Sequence, residues 1–178
     1  MDNRRPRLVR AALAVIATAV VVSSVLLAAG SSGGSDAGAP GSVRLTGVHL
    51  TSVIPGASAI TTADFQSRAV VVNFWASWCG PCEREMPNFE AAHRELGDRV
   101  VFIGIDENDT RPAAISFLHH AGVTYRNGFD GSGAVGQSFV IPGTPCTFFI
   151  SHGRELDVQY GPLSAPALRN KIQQLFGA

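Results

Sequence analysis

Residues 69–75, Ala-Val-Val-Val-Asn-Phe-Trp, form an almost unbroken apolar run with three valines in succession. The run does not alternate and is dense in β-branched side chains, which marks a strand covered on both faces. RVVFIGID at 99–106 is a second run of the same kind. Between them, residues 80–96 place Met86, Phe89 and Leu96 at helical spacing, and Gly97 stops the pattern. Further on, residues 112–122 read as a helix opened by Pro112 and closed by Gly122. Residues 130–139 suggest a short helix. CTFFI (146–150) and ELDVQY (155–160) flank Ser-His-Gly-Arg and read as an antiparallel pair. Ser164 caps a last helix with Leu168, Ile172, Leu175 and Phe176 on one face. Val43–Val53 alternates weakly and suggests an N-terminal hairpin. Two doubly covered strands amid helices require an α/β fold, a mixed central sheet flanked by helices.

That sheet accounts for residues 43–178 of the 178-residue chain, and what precedes it differs in character. Arg4, Arg5, Arg7 and Arg10 lead into residues 11–29, which carry no charge. The stretch is close to the roughly 20 apolar residues that cross a bilayer and longer than the usual core of a secretory signal. Arginines ahead of it keep the N-terminus in the cytoplasm and place the rest of the chain outside. An uncleaved anchor and a cleaved signal both fit residues 1–30, the latter with Ala28 and Gly30 as the small residues before the cut. Residues 31–42, rich in Gly, Ser, Ala and Pro, have the composition of a flexible tether. Formal charge is zero over the whole chain, and beyond residue 30 it falls to −3, from 10 basic and 13 acidic side chains. Neither value points to nucleic acid as a partner.

Two of the three cysteines, Cys79 and Cys82, lie where the first buried strand gives way to the helix. Cys79 therefore meets unpaired backbone N–H groups and the positive end of a helix dipole, and both favour its thiolate. Cysteines in such motifs ionise at pH values of about 3.5–7.5, against about 8.5 for a free thiol. Gly80-Pro81 between them lets the second sulfur close on the first within one helical turn, and Pro81 suits a position whose N–H would have no partner. Cys79 is the expected attacking thiol and Cys82 the resolving one. Zinc would need four ligands, and the chain supplies no second Cys-x-x-Cys and no convincing histidine pair. Haem attachment would need histidine after Cys82, where Glu83 stands. The electrons reside on the cysteines, so no cofactor is implied.

FWASWCGPC resembles the active site of the thioredoxin superfamily. VVNFWASWCGPCEREMP followed by GTPCTFFI is similar, more narrowly, to the TlpA/ResA/DsbE-like group of extracytoplasmic thiol-disulfide oxidoreductases. The resemblance implies a thioredoxin fold with a strand-helix insertion, supplied by the helix at 112–122 and its neighbouring strand. It implies a cis peptide bond at Thr144-Pro145 facing the cysteines, with the Thr144 backbone offered to an extended substrate, and Trp78, Gly80 and Pro81 flanking the same groove. Thioredoxin has a buried aspartate where this chain has Asn73. The group often carries a glutamate three residues after the second cysteine, here Glu85, which at i+3 shares a helix face with Cys82. A partly buried Glu85 would accept the Cys82 proton. The resemblance further implies thiols and disulfides of other proteins as partners, apocytochrome c as a candidate among them. It implies a membrane thiol-disulfide protein as electron donor, a place on the outer side of the bacterial cell membrane and a reductant's role in cytochrome c maturation. A folding oxidant and a non-catalytic peptide-binding module are the other readings.

Cys146 departs from the group's usual threonine or serine after the proline, and a lone cysteine in an apolar strand is expected to be buried and inert. Trp75 is expected in the core. Asp106, Glu107 and Asp109 are expected in a solvated turn after the second strand.

Overall fold

The computed structural model describes residues 47–178. The expected anchor or signal at 1–30, the tether at 31–42 and residues 43–46 lie outside the described residues. Among the described residues, no helix is long and apolar enough to cross a membrane.

The central sheet has five strands: β3 (Val70–Trp75), β4 (Val101–Glu107), β5 (Arg126–Asp130), β6 (Cys146–Ser151) and β7 (Arg154–Tyr160). Their spatial order is β5-β4-β3-β6-β7. β3 lies in the middle, parallel to β4 and antiparallel to β6, and all six of its residues are buried. This position is the physical reason for its valine run. Val70, Val72 and Phe74 join Ile103, Ile105, Phe148 and Ile150 in one cluster, closed by Phe65 and Phe139. Val71 and Trp75 join the other, with Met86, Phe89 and Leu96 of helix α1 (Gly80–Leu96), Leu118 of α2 (Arg111–Ala121) and Leu168 and Ile172 of α4 (Ala165–Phe176). Helix α3 (Ala134–Ser138) is a single short turn.

Three departures from the sequence expectations have local causes. The N-terminal hairpin is wider than 43–53: β1 (His49–Leu50) pairs with β2 (Ile60–Thr61), and a 3-10 turn at Thr62–Gln66 follows. Residues 51–53 then run along the outer edge of β5, where the Phe129 amide donates to the Thr51 carbonyl and the Val53 amide to the Asn127 carbonyl, both at 2.8 Å. Gly128 permits this approach, since a Cβ there would lie 2.9 Å from the Leu50 side chain. The second is that β5, the strand the resemblance placed beside the 112–122 helix, carries no strand signal of its own: Arg-Asn-Gly-Phe-Asp lacks strand character and is held by its neighbours. The third is a correction. Asp106 and Glu107 are not in a solvated turn but end strand β4, fully buried and 8% exposed respectively. Pairing with β5 carries β4 as far as Glu107 opposite Asp130, beyond the apolar run that signalled it.

Candidate active site

The chain leaves β3 at Trp75, turns through residues 76–78 and enters α1 at Cys79. The Cys79 amide donates to the Ala76 carbonyl at 3.1 Å, closing the turn, and Cys79 is the N-cap of α1. Its sulfur accepts the Cys82 amide at 3.2 Å, the capping bond that serine or aspartate would otherwise supply. Cys79 and Cys82 form a disulfide with their Cα atoms 5.3 Å apart. Cys82 is fully buried, whereas Cys79 keeps 4% of its surface exposed. Pro81 occupies the first turn of α1, and Gly80 is exposed beside it. Trp78 is 64% exposed, and its indole donates to the Asn108 carbonyl at 3.1 Å. Trp75 is fully buried, stacked on Phe117 of α2, and donates its indole N–H to Asn127 Oδ1 at 2.9 Å.

Glu85 follows one turn after Cys82 on α1 and is only 2% exposed. Its Oε1 accepts from Asn73 Nδ2 at 2.9 Å and its Oε2 from the Leu163 amide at 2.8 Å. Asn73 thus occupies the mid-sheet position as a donor that holds the glutamate, and it bonds Thr147 Oγ1 as well, at 3.2 Å. Burial pushes the Glu85 carboxyl up to about 7, and the two hydrogen bonds only partly oppose it.

The Thr144-Pro145 peptide is cis. Pro145 is buried, and its carbonyl accepts the Gly161 amide at 3.0 Å. Because Cys146 is in register with Phe74, Thr144 and Pro145 lie at the same end of the sheet from which residues 76–79 depart. Cys146 is fully buried in β6, and burial, aided by the Glu107, Glu155 and Glu85 carboxylates, pushes its thiol up to about 12.

Sequence reading missed the strap formed by residues 108–110. Asp109 Oδ2 accepts the Ser77 amide at 2.6 Å, and Asn108 holds Trp78, so this loop grips the two residues before Cys79. No local signal announces such a contact, which spans more than thirty residues of chain. Among the described residues no group of three or more His, Cys, Asp or Glu side chains could hold a metal ion.

A disulfide at a helix N-terminus, a buried acid one turn away and a cis-proline at the same sheet end make up a thioredoxin-type site. The chain belongs to the Redoxin family, whose model matches residues 40–172. It is 36% identical over 118 residues to the thiol:disulfide interchange protein HelX of Rhodobacter capsulatus, covering 65% of each chain. It is 28% identical over 122 residues to the thiol-disulfide oxidoreductase ResA of Oceanobacillus iheyensis, covering 66% of this chain and 62% of that one. The matched part is therefore a little under two thirds of the length of these relatives. A secreted Mycobacterium tuberculosis disulfide oxidoreductase homologous to E. coli DsbE has the same fold, with a TM-score of 0.65 at 21% identity, over 72% of this chain and 96% of that one. The thioredoxin-superfamily resemblance, and its TlpA/ResA/DsbE-like character, hold.

Proposed function

We propose that this protein is a thiol-disulfide oxidoreductase acting on cysteines of other proteins through the Cys79–Cys82 pair. The observation that carries the reading is the pair itself, with Cys79, slightly exposed, capping a helix and Cys82 fully buried. In the reduced protein the Cys79 thiolate, stabilised by the helix terminus, attacks one sulfur of a substrate disulfide. The substrate S–S bond breaks, a Cys79–substrate bond forms, and the released thiolate takes a proton. Glu85 then accepts the Cys82 proton, and the Cys82 thiolate attacks the Cys79 sulfur. Closure of Cys79–Cys82 expels the second substrate thiol, so two electrons have passed to the substrate. Thr144, Pro145, Trp78, Gly80 and Pro81 line the approach to Cys79 and bind the substrate segment.

Resemblance to the TlpA/ResA/DsbE-like group supports a narrower role, as a reductant in cytochrome c maturation with apocytochrome c disulfides as substrate. The charge-free stretch at 11–29 behind four arginines supports a place outside the cytoplasm, and a membrane thiol-disulfide protein would then return the pair to the dithiol. Cysteine variants test the activity. Cys82→Ser accumulates substrate proteins as mixed disulfides on Cys79, whereas Cys79→Ser accumulates few; equal trapping by both overturns the assigned roles. The redox state of the pair in growing cells tests the direction, mostly reduced for a reductant and mostly oxidised for an oxidant.

A further inference from the structure

Thiol exchange uses Glu85 and leaves a second buried acid without a task. Asp106 is fully buried near the end of β4, in register with Trp75 of β3 and Phe129 of β5, and neither of its carboxyl oxygens meets a hydrogen-bond donor among the described residues. A buried carboxylate without donors is costly, so the group is held as the neutral acid.

The charged groups that face Asp106 are few. Asp109 comes from the following loop, Arg111 from the start of α2 and Asp130 from the end of β5. The paired strand positions, Trp75 and Phe129, carry no charge. Arg111 is committed elsewhere, with Nη1 on the Ser52 and Val53 carbonyls and Nη2 on Thr51 Oγ1. Burial first, and then the Asp109 charge, hold the Asp106 carboxyl up to about 8. Burial opposes ionisation of Asp109 too, but hydrogen bonds from Ser77, Thr110 and Asp106 outweigh it and hold that carboxyl below its ordinary value. The ionised partner is the one in the strap: Oδ2 accepts the Ser77 amide and Oδ1 the Thr110 amide, each at 2.6 Å.

We propose that Asp106 and Asp109 are a carboxyl pair that holds one proton and positions the redox site: ionised Asp109 fixes the Ser77–Trp78 segment ahead of Cys79, and protonated Asp106 fixes Asp109. The inference rests on the thiol-exchange reading for its purpose, though not for the pair's titration. A fully buried carboxyl that faces an ionised carboxylate cannot itself ionise cheaply. Loss of the shared proton at alkaline pH therefore drives Asp109 from its place, loosens residues 76–78 and adds negative charge near the Cys79 thiolate.

Two measurements on the reduced full-length protein test this. Carboxyl carbon NMR titration follows the pair directly, and an aspartate step near pH 8 that Asp106→Asn abolishes is expected. Absence of any aspartate step above about pH 6 overturns proton sharing. Alkylation of Cys79 by iodoacetamide, read by mass spectrometry from pH 6 to 10, follows the consequence. The wild-type rate bends downward above pH 8, while Asp106→Asn, whose amide still donates to Asp109 and never ionises, keeps rising to its plateau and is severalfold faster at pH 9. Identical alkylation profiles overturn the positioning role even if the carboxyl step is present. Asp109→Asn is a second route should Asp106→Asn fold poorly: removing the neighbouring charge lowers the Asp106 step, and an unmoved step refutes the pairing. Failure of the thiol-exchange reading itself shows separately, in the trapping behaviour of Cys82→Ser and Cys79→Ser.

Discussion

A carboxyl group that titrates near neutrality would change which form of the protein resolves the proposed mixed disulfide. With burial holding Glu85 up to about 7, its carboxylate and its acid are both populated at physiological pH, and in the proposed exchange only the carboxylate could accept a proton from Cys82. Glu85→Gln keeps the shape and removes the proton transfer. It is expected to slow resolution of the Cys79 mixed disulfide by about 10²-fold at pH 8, the low end of general-base assistance. The wild-type rate should fall as pH drops through 7, and the variant should lack that limb; rapid-quench sampling of the mixed disulfide from pH 5 to 9 reads both. If the two proteins share one profile, the proton leaves through water. Of this site, Cys79, Cys82 and the spacing of Glu85 were legible because they lie within one stretch of helix. Glu85's hydrogen-bond partners were not, since Asn73 comes from the preceding strand and Leu163 from 78 residues further along. Asp106 was misread for the same reason: it closes an apolar run and opens the charged stretch Asp106-Glu107-Asn108-Asp109, and only pairing with β5 carries the strand through it.

Strands buried on both faces announce themselves in sequence, as β3, β4 and β6 do; strands recruited by a neighbour do not. β5 is of the second kind and depends on a clasp between elements. Asn127 in β5 accepts the Trp75 indole and donates to the Tyr125 carbonyl at 2.8 Å, and Gly104 in β4 makes room for it. A Cβ at Gly104 would lie 1.7 Å from Asn127 Oδ1 and 2.8 Å from Trp75 Nε1. Gly104→Ala is therefore expected to cost about 2–4 kcal/mol, from overpacking together with the broken indole bond. Urea unfolding measures the loss, and near-ultraviolet circular dichroism should report a displaced Trp75. A cost below about 0.5 kcal/mol would show that β4 and β5 slide apart without strain. The inserted helix α2 takes part through Phe117 on the Trp75 ring, so the insertion supports the strand that delivers Cys79.

Across the whole molecule, the buried acids set how stability responds to pH. Glu85 and Asp106, held up to about 7 and about 8, bind protons more tightly folded than unfolded, so their contribution is present at low pH and is lost as pH rises from about 4 through those values. Asp64, Glu90 and Asp109 are lowered, burial being outweighed by hydrogen bonds, and their contribution is lost as pH falls below about 4. Stability should peak between about pH 4 and 5, with a Tm several degrees higher at pH 5 than at pH 8. Glu85→Gln should narrow that difference by stabilising the protein at pH 8 alone. Calorimetry at the two pH values decides, and a Tm that climbs steadily to pH 8 would show that the buried acids ionise without penalty. Cys146 has a consequence for how the chain matures. Three cysteines allow three different single disulfides while the chain is unfolded. Once β6 is seated between β3 and β7, with Cys146 in register with Phe74 and Tyr160, its thiol is buried away from oxidants, in a different core cluster from Cys79 and Cys82. Closure of the sheet thus acts as a checkpoint, after which oxidation of the folded chain yields a single product.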